Sequence, residues 1–291
     1  MSKPLIVVTG KNGQLGSELQ LLAPSLAHVY DFLFADRAVL DLSSNDSIDS
    51  FCAVHKPSVI INCAAYTAVD KAETDRVAAL QINAVAVGKL AAFCKAIGAL
   101  FITVSTDYVF DGNSSEPYPE EAATNPIGIY GNSKLKGEVH LSKSSCKNVT
   151  IRISWLFSPF GKNFVKTIAH LVKDKKELKV VDDQWGRPTY GIDLARTVLK
   201  LLSNDTLHTF PILHYANQGV CNWKVFADAI VNELECKTII QGISTSAYPT
   251  LAKRPNYSIL NTERIEKELG VTIPTWQESL KKCIQILKND G

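Results

Sequence analysis

The sequence predicts an α/β fold, a doubly wound parallel sheet followed by a smaller C-terminal α+β portion. Three observations predict it: an opening apolar run that stops at glycine, a repeated alternation of β-branched runs with helical spacings, and the loss of that rhythm after Trp155. Residues 5–9 (LIVVT) are short, apolar and β-branched, as a strand buried on both faces should be. Leu15, Leu19 and Leu22 then recur at helical spacing up to Pro24. A second strand is expected at about 29–35, ending at Asp36-Arg37. Residues 46–55 read as a helix stopped before Pro57, and 58–63 as the next buried strand. Residues 75–97 form a long helical stretch closed by Gly98, which readily takes the left-handed cap. A strand at 100–105, a helix from Tyr130 and a strand at 149–156 continue the series. Strands alternating with helices need crossover connections, and crossovers make neighbours parallel.

Beyond Trp155 helices are expected at about 163–173, 192–202, 223–234 and 276–287, with short strands and a proline-bearing stretch, 247–255, between them. Residues 1–155 are thus expected to build the sheet domain, with a return segment at about 190–215, and 156–291 the smaller one, laid over the sheet's carboxyl end.

Composition removes several functional classes. A net charge of +2 over 291 residues gives no electrostatic reason for nucleic acid or an anionic membrane as partner. The N-terminal apolar run is too short for a secretory signal, and no stretch is expected to reach the roughly 18 apolar residues of a membrane span. Seven dispersed cysteines without a CxxC suit reduced thiols, and the six histidines form no HExxH. The expectation is a cytoplasmic protein without a metal site.

The turn after the first strand is Gly10-Lys11-Asn12-Gly13-Gln14-Leu15-Gly16, glycines spaced GxxGxxG at the opening of a helix. Glycine permits the tight turn and the close approach of backbone to a pyrophosphate, while the helix N-terminus offers oriented N–H groups to the anion. In this strand–turn–helix setting the motif predicts a Rossmann-type dinucleotide site. Asp36, 20 residues past Gly16, sits where an acid takes the adenosine ribose hydroxyls. Its neighbour Arg37 could instead pair with a 2′-phosphate. The two argue for opposite cofactors, so NADPH or NADH stays open.

Tyr130 and Lys134 form the sole YxxxK of the chain, a spacing that puts both side chains on one helix face, expected after a fifth strand. A phenol is a weak acid at neutral pH, and a nearby ammonium favours its anion. Such a pair is therefore a candidate proton donor with an electrostatic partner, and Lys134 could also hold the nicotinamide ribose. Spacing alone is a common coincidence; a solvated helix with an extended lysine would give the same pattern. Position is what supports the functional reading. Upstream, VSTDYVF at 104–110 puts hydroxyls at a strand's carboxyl end, where open α/β sheets bind ligands, and Thr106 could hold a substrate carbonyl there.

Together these residues resemble the extended branch of the short-chain dehydrogenase/reductases and, within it, the dTDP-4-dehydrorhamnose reductase family. The matching stretches are GKNGQLG at 10–16, NCAAYTAVDKAE at 62–73, STDYVFDG at 105–112, YGNSKLKGE at 130–138 and ISWL at 153–156. They continue with GKNF at 161–164, DQWGRPT at 183–189 and SAYPTLAKRPNYSILNT at 246–262, nearly end to end. The resemblance implies reduction of dTDP-4-dehydro-β-L-rhamnose to dTDP-L-rhamnose with NADPH or NADH, in nucleotide-sugar (dTDP-rhamnose) biosynthesis. It makes Tyr130 the proton donor, Lys134 its partner and Thr106 the carbonyl-orienting hydroxyl. Asp41, Leu42, Ala64, Ala65 and Tyr66, with Gln14 and Leu15, match cofactor-lining positions. Val69, Asp107, Tyr108 and Trp155 match positions facing the substrate, and Asn163, Arg187 and Arg254 are candidates for its diphosphate, each equally readable as a structural hydrogen-bonder or surface charge.

Dehydratases of the superfamily carry Asp-Glu after the threonine; the pair here is Asp107-Tyr108, which argues against elimination. Some members hold a divalent metal at a dimer interface through acidic residues. That cluster finds no match here, so no metal is expected, and a homodimer is the association the resemblance allows. Two alternatives stay open: another nucleotide-sugar 4-ketoreductase or epimerase, and a non-catalytic regulatory subunit like the beta subunit of methionine adenosyltransferase. Trp155 and the AVDKAE stretch favour the enzyme.

Overall fold

A computed structural model describes residues 2–204 and 211–289. The chain opens with β1 (Leu5–Thr9), α1 (Gln14–Leu22), β2 (Asp31–Ala35), α2 (Asn45–Val54), β3 (Val59–Asn62) and the single turn α3 (Val69–Ala72). One long helix follows in three parts: α4 (Arg76–Leu80), a π segment (Gln81–Val85) and α5 (Ala86–Ile97). Then come β4 (Leu100–Thr106), α6 (Ile129–Ser144) and β5 (Asn148–Ile153). These strands and the later β10 (Ile212–Tyr215) form one parallel sheet in the order β10-β5-β4-β3-β1-β2.

Both faces of this sheet are buried, which explains the unbroken apolar runs. Ile6, Val8 and Ile61 point to one side, under α1 and the later helix α8 (Gly191–Lys200); Val7, Ile60 and Phe101 point to the other, under α2 and α5. The sheet order reverses between β1 and β3, since the chain runs outward to β2 and returns on the far side. Ligands of open α/β sheets lie in the crevice that such a reversal opens at the strands' carboxyl ends.

Between and beyond these elements lie β6 (Leu156–Phe157), α7 (Phe164–Leu171), β7 (Glu177–Val181), β8 (Trp185–Gly186) and β9 (Thr189–Tyr190). After β10 come β11 (Cys221–Asn222), α9 (Trp223–Glu233), β12 (Ile239–Ile243), α10 (Glu263–Leu269) and α11 (Trp276–Asn289). A separate core of Phe157, Val165, Phe226, Ile230, Trp276 and Leu280 joins α7, α9 and α11. The chain passes back to the main sheet through α8 and β10.

Several expectations need correcting. The Tyr130 helix follows the fourth strand, not a fifth. The strand expected at 149–156 breaks after Ile153, because Trp155 takes a left-handed φ of 48° and β6 turns to pair with β9. The long helix is not uniform. Its π segment inserts Asn83, 2 % exposed, against α6. That helix, Arg76–Ile97, is also long and apolar enough to cross a membrane by length and composition, against the expectation that no stretch would be. In the fold it is a core helix, with Leu90, Ala91 and Cys94 fully buried.

Candidate active site

A cavity of about 950 Å³ runs along the carboxyl ends of β1, β3 and β4 to the start of α6. Its floor begins at the glycine turn. Gly10 has φ +67°, and a Cβ there would stand 2.8 Å from the Ala64 nitrogen, so only glycine fits between β1 and the segment after β3. Gly13 sits at the N-cap of α1, and no side chain caps that helix. Its first N–H groups are left for another acceptor. With them Asn12, Gln14, Leu15, Asp36, Arg37, Asp41, Leu42, Ala64 and Ala65 line the cavity.

Two expected cofactor residues do not line it. Gly16 lies beneath, where a Cβ would meet the Gly10 oxygen at 2.3 Å, so its part is to pack helix on turn. The Tyr66 hydroxyl donates to Asp75 Oδ2 at 3.1 Å, and its backbone N–H and C=O are held by the Asn83 amide at 2.8 and 3.0 Å. Asn83 also donates to Ser133 Oγ on α6, so the π turn ties the two cavity walls together.

The opposite wall carries the titratable groups. Gly131 lets α6 close on the turn after β4: a Cβ there would fall 2.1 Å from the Tyr108 carbonyl oxygen. That approach sets Tyr130 edge-on to Tyr108, ring centroids 5.6 Å apart, with Thr106 and Lys134 on the same cavity. Thr106 donates to Asp107 Oδ1 at 3.0 Å and accepts from the Tyr108 N–H at 3.2 Å. The Lys134 ammonium donates to the Val104 carbonyl at 2.7 Å.

The expected lowering of the phenol's pKa by this lysine is not what the geometry gives. Burial dominates and pushes Tyr130 up to about 12, opposed by the Thr106 hydroxyl and reinforced by the Asp107 charge. Burial brings Lys134 down to about 8, against the pull of Glu138 one turn on. Asp107 is raised by burial to about 6, opposed by the Ser258 and Thr106 hydroxyls. The wall thus carries a protonated phenol, an ammonium that titrates just above neutrality and a carboxyl that titrates just below it. Two buried atoms of cavity-lining residues, Ser105 Oγ and Asp107 Oδ2, have no partner in hydrogen-bond geometry among the described residues. Buried polar atoms are nearly always satisfied, so orphans on a cavity wall suit a polar ligand.

Val69, Tyr108 and Trp155 line the cavity as expected. Trp155 is held in its left-handed conformation by a face-to-face stack on Trp223, centroids 3.6 Å apart. The three diphosphate candidates do not line it. Asn163 caps α7 by accepting from the Lys166 N–H, while its amide donates to Gln14 Oε1 and to the Ser158 and Phe160 carbonyls. Arg187 donates to the Leu260 carbonyl, Thr262 Oγ1 and Gln218 Oε1. Arg254 pairs with Asp70 at 2.7 Å and lines a neighbouring cavity of about 480 Å³.

Sequence reasoning passed over other lining residues: Lys11, Ser105, Gly161, Lys162 and Trp223. Lys11 lies in the glycine motif, Ser105 among the hydroxyls of 104–110, and Gly161 and Lys162 in the GKNF stretch, while Trp223 carried no signal. Cys63 lines the cavity too, but burial pushes its thiol up to about 12, which removes it as a nucleophile.

The family model described as the RmlD substrate binding domain matches residues 4–289. A dTDP-4-dehydrorhamnose reductase of Burkholderia thailandensis is 39 % identical, over 97 % of this chain and 98 % of that protein. A crystal structure of a dTDP-4-dehydrorhamnose reductase from Clostridium acetobutylicum superposes with a TM-score of 0.92 at 39 % identity, covering 98 % of this chain and 99 % of that one. The Bacillus anthracis enzyme of that name, in complex with NADP, gives 0.92 at 35 % identity, covering 98 % and 100 %.

Proposed function

Since the chain belongs to the dTDP-4-dehydrorhamnose reductase family, we propose that it reduces dTDP-4-dehydro-β-L-rhamnose to dTDP-L-rhamnose with NADPH or NADH. The observation that carries this reading is a single cavity lined both by the glycine turn and by Tyr130, Lys134 and Thr106. The site fits a dinucleotide: an uncapped helix N-terminus and a Cβ-free turn make an anion cradle, and Ser105 offers an unpartnered hydroxyl. Gly10, Asn12, Gly13, Gln14 and Leu15 would hold the pyrophosphate, Asp36, Arg37, Asp41 and Leu42 the adenosine, and Ala64, Ala65, Tyr130 and Lys134 the nicotinamide end. The bound dinucleotide supplies hydride to the C4 carbonyl carbon of the sugar.

The chain's own residues handle the charge that this leaves. Tyr130 keeps its proton throughout the neutral range because burial disfavours its anion. Charge building on the ketone oxygen is therefore met by a held phenolic O–H, with the Thr106 hydroxyl, once turned from Asp107 Oδ1, as a second donor. As the phenol gives up its proton, the buried Lys134 ammonium favours the phenolate. Val69, Asp107, Tyr108 and Trp155 would bound the sugar.

In this reading residues 1–155, with the return at 190–215, carry the dinucleotide and 156–291 complete the substrate side. The partner is a nucleotide sugar rather than nucleic acid or membrane. The seven free cysteines suit a cytoplasmic enzyme. The test is NADPH and NADH oxidation with dTDP-4-dehydrorhamnose and NMR of the product sugar. One dinucleotide oxidised per dTDP-L-rhamnose formed is expected; turnover without dinucleotide consumption, as in an epimerase, would overturn the reading.

A further inference from the structure

Resting on the reductase reading, we propose that Lys11 sets this chain's preference for NADPH over NADH, by neutralising Asp36 and leaving Arg37 as a second cation with unengaged donors. An acid at the end of β2 normally favours NADH, because it accepts from both ribose hydroxyls and repels a 2′-phosphate. Here that acid is already engaged. Asp36 Oδ1 accepts from the N–H groups of Ala38 and Val39 at 3.1 and 3.3 Å, and Oδ2 lies 2.8 Å from Lys11 Nζ. The hydrogen bond and charge of Lys11 hold the Asp36 carboxyl below its usual range.

Lys11 is fixed beside it, since its own backbone N–H donates to the Ala35 carbonyl at the end of β2. The other acid on this rim, Asp41, accepts at Oδ1 from the N–H and hydroxyl of Ser43 at 2.9 and 2.7 Å, and its charge attracts Arg37 without a direct hydrogen bond. Arg37 lines the same cavity and, among the described residues, makes no hydrogen bond or ion pair. A diol thus finds a carboxylate whose Oδ1 already holds two backbone N–H groups and whose Oδ2 it must share with an ammonium. A phosphate dianion finds a guanidinium with a free fork of donors and an ammonium able to share itself between carboxylate and phosphate.

The experiment is calorimetric titration of the full chain with NADPH and with NADH, in wild type, Lys11→Met, Lys11→Arg and Lys11→Met/Asp36→Asn. Wild type should bind NADPH at least about tenfold more tightly than NADH. Lys11→Met should weaken NADPH by about tenfold or more and NADH by less than about twofold, because it bares a repelling carboxylate and removes a cation. Lys11→Arg should keep the preference, and the double variant should regain part of the lost NADPH affinity. Equal weakening of both dinucleotides by Lys11→Met would assign Lys11 to the shared pyrophosphate and overturn the proposal, as would a wild type without preference. Those outcomes leave the reductase reading intact, whereas a wild type that binds neither dinucleotide overturns both.

Discussion

The crevice at the carboxyl ends of β1, β3 and β4 and the region joining α7, α8 and α11 are both rich in buried polar side chains, yet they use them oppositely. In the second region polar groups mostly satisfy one another. Asn217 accepts from the Tyr190 N–H, and its amide donates to Asp193 Oδ2, Ser279 Oγ and the Pro274 carbonyl. The Arg187 guanidinium is likewise held by the Leu260 carbonyl and Gln218 Oε1. A few atoms there lack partners (Arg187 Nε, Thr189 Oγ1 and Trp276 Nε1), but none of those residues lines either cavity. In the crevice the orphans, Ser105 Oγ and Asp107 Oδ2, belong to the wall of the main cavity. A ligand site is therefore marked less by polar residue types than by what their atoms have left to bind.

The strongest way to break this contrast is Tyr130→Phe. It removes a single oxygen, which in the resting fold meets the Thr106 hydroxyl, so turnover should fall by roughly 10²- to 10⁴-fold while dinucleotide affinity changes by less than about threefold. Wild-type ketone reduction by the variant would remove the phenol from the chemistry. Next comes the pH dependence. Lys134 is brought down to about 8, so its ammonium is present below that pH and lost above it. With saturating dinucleotide, kcat/KM should fall about tenfold per pH unit on the alkaline side. Lys134→Arg, charged throughout, should flatten that limb at a lower rate, and an unchanged limb would reassign it.

The same contrast explains what could be read in the sequence. Gly10 and Gly13 were legible because a strand–turn–helix junction demands a local conformation, and Asp36 and Arg37 because a strand end places them. Tyr130, Lys134 and Thr106 were legible as helix and strand-end positions. Trp223 was not, because it reaches the cavity only through packing between segments distant in the chain. Nor was the π turn at Asn83, since one inserted residue leaves the apolar spacing of a long helix almost unaltered. Arg187 and Asn163 show the opposite failure. Their residue types suit a diphosphate, and only the tertiary structure shows the Asn163 amide and the two terminal nitrogens of Arg187 engaged within the fold.

Asn163 gives the smallest effect and the sharpest discrimination between the two regions. Its carbonyl oxygen caps α7, and its amide holds the Ser158 carbonyl and Gln14, the latter a cavity residue. Asn163→Ala should cost about 1–2 kcal/mol of stability, the usual size of a lost N-cap. Because Gln14 loses only a tether, KM for the sugar nucleotide and dinucleotide affinity should each move by less than about threefold. Denaturant unfolding and steady-state kinetics on one preparation separate the possibilities. A tenfold rise in KM at unchanged stability would mean that the amide reaches the substrate after all, and that polar groups bound to one another in the resting fold can still be part of a site.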